Sequence, residues 1–211
     1  MAHAVNINVD PGTKLWNPAA DEHDPISART FGFWLYMLSD GLIFAAIFAS
    51  YAVLDNPVNA AGHPMAAQLL SAGQGMAQTI LVLASVLALS LGTLAIKAGS
   101  KAGVSLGLIA AAALGLVFLF IGGTDLANIA AAGNVPTASA YLSCLFTLII
   151  THGLHMAFGL LWMAVLLVQI KRSGFTTQVV GRLLCLRMFW QFQASIWVIV
   201  YVYVYLFGGA H

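Results

Sequence analysis

The sequence predicts an all-α membrane protein, a bundle of five transmembrane helices with a cytoplasmic N-terminus and a periplasmic C-terminus. Of its 211 residues, 61% are hydrophobic and 7% are charged, whereas a soluble domain is about 25% charged. Five segments are long and apolar enough to cross a bilayer, because a spanning helix needs about 20 such residues. The basic residues occur only before the first segment, between the second and third, and between the fourth and fifth. Together, these observations exclude an ordinary soluble domain.

The predicted spans are separated by short connections that leave no room for a soluble domain. They are residues 31–54, 76–96, 104–123, 141–170 and 188–207. Residues 1–29 are predicted to form a polar cytoplasmic segment without the apolar core of a cleaved signal peptide. Residues 30–211 are predicted to form one transmembrane domain, and we expect the first span to target the chain and remain in the membrane.

The positive charges predict the topology, because Lys and Arg accumulate in cytoplasmic loops. They occur before span one, between spans two and three, and between spans four and five. They are Lys14, Arg29, Lys97, Lys101, Lys171, Arg172, Arg182 and Arg187. The first loop, the third loop and the C-terminal residues contain none, so the N-terminus is predicted on the cytoplasmic side and the C-terminus on the opposite side.

Span four carries polar residues at a spacing of four, which places them on one face of a helix. They are Ser139, Ser143, Thr147, Thr151 and His155. His152 lies on the same side, and Gly153 and Gly159 are flat positions at which another helix could pack. Because hydrocarbon offers no hydrogen-bond partner, we expect this face to contact protein.

Span three carries small residues at the same spacing, a pattern that lets the backbones of two helices touch. They are Gly103, Gly107, Ala111 and Gly115. We expect a packing seam here, although Gly and Ala are also common in membrane helices that form no such seam.

Asp40 is the only charged side chain in the middle of a predicted span, where a carboxylate costs about 2.5–3.5 kcal/mol. We expect it to join a polar cluster drawn from spans four and five. The candidates are Thr151, His152, His155, Gln191 and Gln193. Two interpretations stay open, a hydrogen-bonded knot that holds three helices together and a site that handles protons.

No metal or haem site is expected on this chain. His152 and His155 lie on one helix, whereas a bis-histidine haem in a bundle takes its ligands from facing helices. The only glutamate is Glu22 in the N-terminal segment, and a carboxylate-bridged metal site in a bundle needs several. Cys144 and Cys185 are predicted to be buried apolar residues. The sequence shows no phosphate-binding loop, catalytic triad or basic patch for nucleic acid.

Three segments in order resemble subunit III of the haem–copper respiratory oxidases. Residues 31–54 begin with FGFW and contain Ser39 and Asp40, residues 151–162 begin with THGLH, and residues 189–197 begin with FWQF. With the five-span layout, these segments cover most of the chain from Phe31 onward. The layout looks like the short form of the bo-type ubiquinol oxidases.

This resemblance implies a non-catalytic core subunit of a proton-pumping terminal oxidase, which oxidises ubiquinol and reduces oxygen to water in the bacterial inner membrane. Subunits I, II and IV would be its partners, and subunit I would hold the haem, copper and quinol. The resemblance also implies bound phospholipid, a stabilising role and support of proton uptake.

Some positions depart from the family pattern. The acidic position of span three falls at Ala127, two residues after Asp125, and Gln191 and Gln193 stand where the family often has His and Asp.

Three alternatives remain at this stage. The first is subunit III of a cytochrome c oxidase. The second is a free-standing transporter or proton channel that uses Asp40, His152 and His155. The third is a bis-histidine haem electron carrier.

Overall fold

The computed structural model describes residues 25–208, which are helical apart from short links. The helices are α1 (Pro25–Leu54), α2 (Pro57–Ala60), α3 (Ala66–Leu69), α4 (Ala72–Leu94), α5 (Lys101–Ala131), α6 (Ala140–Ser173) and α7 (Thr177–Val200). A 3₁₀ turn (Pro136–Ala138) precedes α6, and a π-helical turn (Tyr201–Leu206) continues α7. Five of these helices are long and apolar enough to cross a membrane. The prediction of an all-α bundle with five spans is therefore confirmed.

Two of the spanning helices, α5 and α7, extend furthest beyond the predicted bounds. Helix α5 continues past residue 123 to Ala131, so Asp125 is helical and does not begin a loop as the sequence analysis predicted. The alanines at 127, 130 and 131 favour this extension because alanine has the highest helix propensity. The helix stops near Gly133, whose φ of 86° lies in the left-handed region.

Helix α7 begins at Thr177 rather than near residue 188, so most of the predicted fourth connection is helical. The Thr176 side chain accepts a hydrogen bond from the backbone N–H of Val179 and caps the first turn. Arg182 and Arg187 therefore lie on a helix and not in a loop. The link between α6 and α7 shrinks to residues 174–176, and Gly174 makes the turn with a φ of 65°.

Helix α7 occupies the middle of the bundle and packs against α1, α4 and α6. More than half of its spanning segment is buried, the largest share among the five spans. Helix α6 packs against α1, α5 and α7, and α4 packs along α5. Residues on one face of α6 therefore contact α1, and residues on one face of α7 contact α4.

The described basic residues gather at one end of the bundle. Arg29 donates from Nη1 to the backbone carbonyl of Gln178 at 3.1 Å, which joins the start of α1 to the start of α7. Arg182 donates to Oε1 of Gln169 at 3.0 Å, which joins α7 to the end of α6. Lys14 lies outside the described residues. This clustering matches the pattern behind the predicted topology, and the direction of the termini across the membrane stays a prediction.

Candidate functional site

Asp40 and His155 form a pair that joins α1 to α6 in the middle of the membrane-spanning region. Nε2 of His155 lies 3.0 Å from Oδ1 of Asp40. The Asp40 side chain is 4% exposed, whereas the His155 side chain is 24% exposed and forms the open edge of the pair. The sequence prediction placed both residues in one polar cluster, and the structure brings them into direct contact.

The hydrogen bonds of the His155 ring determine how many protons the pair with Asp40 holds. Nδ1 is 2.7 Å from the backbone carbonyl oxygen of Thr151, which can only accept, so Nδ1 carries a hydrogen. A hydrogen bond between Nε2 and Oδ1 of Asp40 then requires one more proton, located on either atom. In both arrangements the pair has no net charge, which lowers the cost of placing an acid in the membrane.

His152 lies in a different environment from His155. Its ring is 1% exposed, and Nε2 donates to the backbone carbonyl of Gln193 on α7 at 3.0 Å. The Phe118 and Trp197 rings pack around it with centroid distances of 5.8 and 5.4 Å. This imidazole therefore joins α6 to α7 within a closed aromatic shell.

The two glutamines of the predicted cluster differ in burial. Gln193 is completely buried, and neither Oε1 nor Nε2 of its side chain has a hydrogen-bond partner within residues 25–208. Gln191 is half-buried and borders a groove beside Trp34 and Met37 on α1. The structure thus gives two separate groups, Asp40 with His155 and Thr151, and His152 with Gln193.

Three hydroxyl residues of the α6 stripe form hydrogen bonds with nearby backbone groups. Ser139 caps α6 by accepting from the backbone N–H of Leu142. Ser143 donates to the carbonyl of Pro136, and Thr147 donates to the carbonyl of Ser143. Ser143 and Thr147 are exposed on the surface of this chain, beside a groove between α1 and α6.

Two members of the predicted small-residue seam contact α4, and one contacts α7. Gly107 packs against Gly92 so closely that a Cβ on Gly92 would lie 2.8 Å from the Gly107 Cα. A Cβ on Gly103 would lie 2.8 Å from Cβ of Ala95. Gly115 faces Trp190, whose Cζ2 would be 2.9 Å from an added Cβ. Ala111 is completely buried.

The two glycines of α6 have different surroundings. A Cβ on Gly159 would meet Cζ3 of Trp190 at 2.8 Å, whereas a Cβ on Gly153 would meet only Leu119, at an ordinary 3.8 Å. Close packing thus occurs at the first position and not at the second.

Sequence reasoning missed two hydrogen bonds that connect α7 to α4. Trp190 Nε1 donates to Ser85 Oγ at 2.9 Å, and Trp197 Nε1 donates to Thr79 Oγ1 at 3.1 Å. The spacing of seven between the two tryptophans places them on one helix face, and this was the available signal.

Sequence reasoning also missed the partners of Asp125 on α4. Gln74 Nε2 donates to one carboxylate oxygen at 2.6 Å and Gln78 Nε2 to the other at 2.9 Å. Asp125 and the two glutamines lie on different helices, at positions that the predicted bounds placed outside the spans or at their edge. No sequence pattern therefore linked these residues.

Within residues 25–208, no three His, Cys, Asp or Glu side chains come together in a group that could hold a metal ion. Both nitrogens of His155 and Nε2 of His152 already have hydrogen-bond partners in the protein. Cys144 and Cys185 are buried and form no disulfide.

Comparison with known proteins identifies the family. The model of the family described as cytochrome c oxidase subunit III matches residues 22–209. Cytochrome bo(3) ubiquinol oxidase subunit 3 of Pseudomonas aeruginosa is 37% identical over 187 residues, which cover 89% of this chain and 88% of that protein. The protein of the same name from Pseudomonas putida is 36% identical, with 88% and 89% covered.

A relative with a different name is also similar. Cytochrome c oxidase subunit 3 of Bacillus sp. strain PS3 is 29% identical over 194 residues, covering 90% of this chain and 93% of that protein. The family model spans almost all of the helical bundle, and the relatives have nearly the same length as this chain. The chain therefore belongs to the cytochrome c oxidase subunit III family of the haem–copper oxidases.

Proposed function

We propose that this chain is the third subunit of a proton-pumping quinol oxidase in a bacterial inner membrane, and that its own contribution is to hold a proton at the Asp40–His155 pair. Membership of the family makes it one subunit of a larger oxidase. The names of the two Pseudomonas relatives support quinol as the electron donor. In this proposal, subunit I holds the haem, copper and quinol, and the present chain takes no part in electron transfer.

The proton-holding role is supported above all by the geometry of the pair. The hydrogen bond between Nε2 of His155 and Oδ1 of Asp40 requires one proton, and the second oxygen of Asp40 has no protein partner within residues 25–208. The exposed edge of His155 gives this proton a way to exchange with the surroundings. A purely structural knot would satisfy both carboxylate oxygens and enclose the imidazole ring.

Subunits I, II and IV are the proposed partners, and phospholipid is proposed to cover the apolar surface that these subunits leave exposed. Large apolar side chains are exposed on the outer faces of every spanning helix, for example Leu42, Ile80, Leu106, Leu154 and Val202. In this arrangement the basic end of the bundle faces the cytoplasm.

The decisive experiment uses Asp40→Asn in the intact oxidase. An asparagine can donate from Nδ2 to the neutral Nε2 of His155, so the contact between α1 and α6 is preserved, but the exchangeable proton is lost. We expect normal assembly with fewer protons translocated per electron, measured in liposomes that contain the purified complex. Ser39→Ala is the matched control, because Ser39 is exposed and bonds only its own helix at Leu35.

Unchanged proton stoichiometry in Asp40→Asn would refute the proton-holding role and leave the family assignment intact. The donor is tested separately, by comparing turnover of the purified complex with a ubiquinol and with reduced cytochrome c. The relative from strain PS3 makes cytochrome c the alternative donor, and turnover with cytochrome c alone would exclude the quinol assignment.

A further inference from the structure

Helix α7 is buried on most of its circumference, but one strip of it stays open between α1 and α4. On one side of this strip, Met188 and Phe192 line a groove with residues of α1. On the other side, Trp190 and Trp197 donate hydrogen bonds to α4. Helices α1 and α4 both pack against α7 but make little contact with each other, so the strip between them faces outward. The accessible positions of this outer strip of α7 include Leu184, Arg187, Gln191, Ser195, Val198 and Ile199.

Three successive turns of the outer strip carry polar side chains. Arg187, Gln191 and Ser195 follow one another at a spacing of four, which places them on one helix face. Arg187 and Gln191 are half-buried, and Ser195 is exposed and donates to the backbone carbonyl of Gln191. Polar side chains in a membrane span almost always face protein or a water-filled cavity. The pattern therefore favours contact with protein over contact with lipid.

The charge of Arg187 indicates what kind of group lies opposite the strip. A guanidinium stays charged at physiological pH and offers five N–H donors. The three acids of residues 25–208 lie elsewhere, since Asp40 bonds His155, Asp125 bonds two glutamines of α4, and Asp55 follows the end of α1. A carboxylate or phosphate that pairs with Arg187 therefore comes from outside this range.

Phospholipid matches only part of this surface. Gln191 borders the same groove as Met37, which lies eight residues beyond Arg29 on α1, or about 12 Å along the helix. Arg29 belongs to the basic end of the bundle, and half of the hydrocarbon core is about 15 Å thick, so Gln191 lies deep in the core. A lipid phosphate can reach Arg187, but lipid offers only acyl chains at the depth of Gln191. A protein helix offers hydrogen-bonding groups at both depths.

A second copy of this chain is a poor match for the strip. A twofold interface brings equivalent patches together. Two outer strips would therefore place Arg187 opposite Arg187 and leave both charges without an acid. The charge favours a partner that differs from this chain and is negative where Arg187 is positive.

We infer that the outer strip of α7 binds a transmembrane helix of another oxidase subunit. That helix carries Asp or Glu opposite Arg187 and a hydrogen-bonding side chain opposite Gln191, one turn deeper in the membrane. The inference rests on the proposed assembly with other oxidase subunits. It is independent of the electron donor and of the Asp40–His155 pair, so the failure of either of those proposals leaves this interface in place.

The first experiment places a photoreactive benzoylphenylalanine at Ile199 in the intact oxidase. Ile199 is 47% exposed on the outer strip, and the substitution leaves all three polar residues unchanged. We expect an adduct with a membrane-spanning segment of another subunit that has Asp or Glu about 12 residues nearer the basic end, the distance from Ile199 to Arg187. An adduct with lipid alone, with a second copy of this chain or with a segment lacking that acid would overturn the inference, as would the absence of any adduct.

The second experiment compares two arginines of α7. Arg187→Gln removes the proposed bond to the partner's carboxylate, whereas Arg182→Gln removes an exposed arginine that bonds Gln169 of this chain. We expect this subunit to leave the detergent-extracted oxidase at least about tenfold faster in Arg187→Gln, because loss of one member of a buried charge pair speeds dissociation. In Arg182→Gln we expect a rate within about twofold of the wild type. Equal rates would contradict the proposed interface, and the crosslink decides the case in which Arg187→Gln fails to assemble.

Discussion

His152 and His155 lie one turn apart on α6, and the structure gives them opposite environments. The His152 ring is 1% exposed and bonds the backbone carbonyl of Gln193 in the centre of the bundle. The His155 ring is at the edge between α1 and α6, about a quarter exposed, and bonds the Asp40 carboxylate. The contrast shows that position in the bundle, rather than residue type, separates an enclosed imidazole from a partly exposed one.

The largest effect is expected from filling space in the centre of the bundle. Gly159→Leu would drive a side chain into Trp190, and overpacking of this kind costs about 3 kcal/mol. Gly153→Leu on the same helix meets only one leucine at an ordinary distance, so we expect a change within about 0.5 kcal/mol. The yield of assembled complex and its melting temperature measure the effect of each substitution. Equal losses would show that α6 is packed alike along both faces.

The next effect concerns the partner of Asp40. His155→Leu leaves a buried acid without its hydrogen bond, and Asp40→Leu should relieve much of that loss in the double variant. We expect a coupling free energy of about 2 kcal/mol from a double-mutant cycle measured by unfolding in mixed detergent micelles. The matched cycle of His152→Leu with Asp40→Leu should be additive, because no hydrogen bond joins those two residues. A coupling of the same size in both cycles would contradict the division into two groups.

The smallest effects are expected for the two hydroxyls on α4. Ser85→Ala and Thr79→Ala each remove the acceptor of one buried indole N–H, at a cost of about 1 kcal/mol. Ser105→Ala, on the half-buried surface of α5, is a control in which a hydroxyl is also lost. The emission wavelength of the tryptophans and the melting temperature report on the change. No difference from the control would mean that the bonds contribute little.

The sequence predicted well those features that depend on local pattern. Runs of apolar residues placed the five spans, and the spacing of four along span four placed His155 on a polar face, as one of several candidates for a cluster with Asp40. Helix ends were less predictable, because the alanines after Asp125 and the capping threonine before α7 extend helices beyond the apolar run. A run of apolar residues marks the part of a helix that crosses the membrane and does not mark where the helix ends. The helix continues beyond that run while its residues favour helix and until its end is capped.

The division between the two histidines could not be predicted from spacing alone. Residues three apart share a face only roughly, so a turn of the helix by a few tens of degrees decides whether a ring faces α1 or α7. That rotation is set by large side chains from other helices, such as Phe44, which contacts both rings, and Trp197, which contacts only His152. Contacts between distant helices carry this information, and a single sequence does not display them.

The partly open ring of His155 has a consequence for how such a subunit would work. Its accessible edge lies on the flank of the bundle, whereas the His152 ring beside it is 1% exposed and packs against Phe118 and Trp197. In the proposed proton-holding role, protons would therefore reach and leave the pair at the flank of the bundle, without travelling along the axis of this chain. Under that proposal the chain forms one wall of a proton path, and the adjoining subunit would supply the other wall.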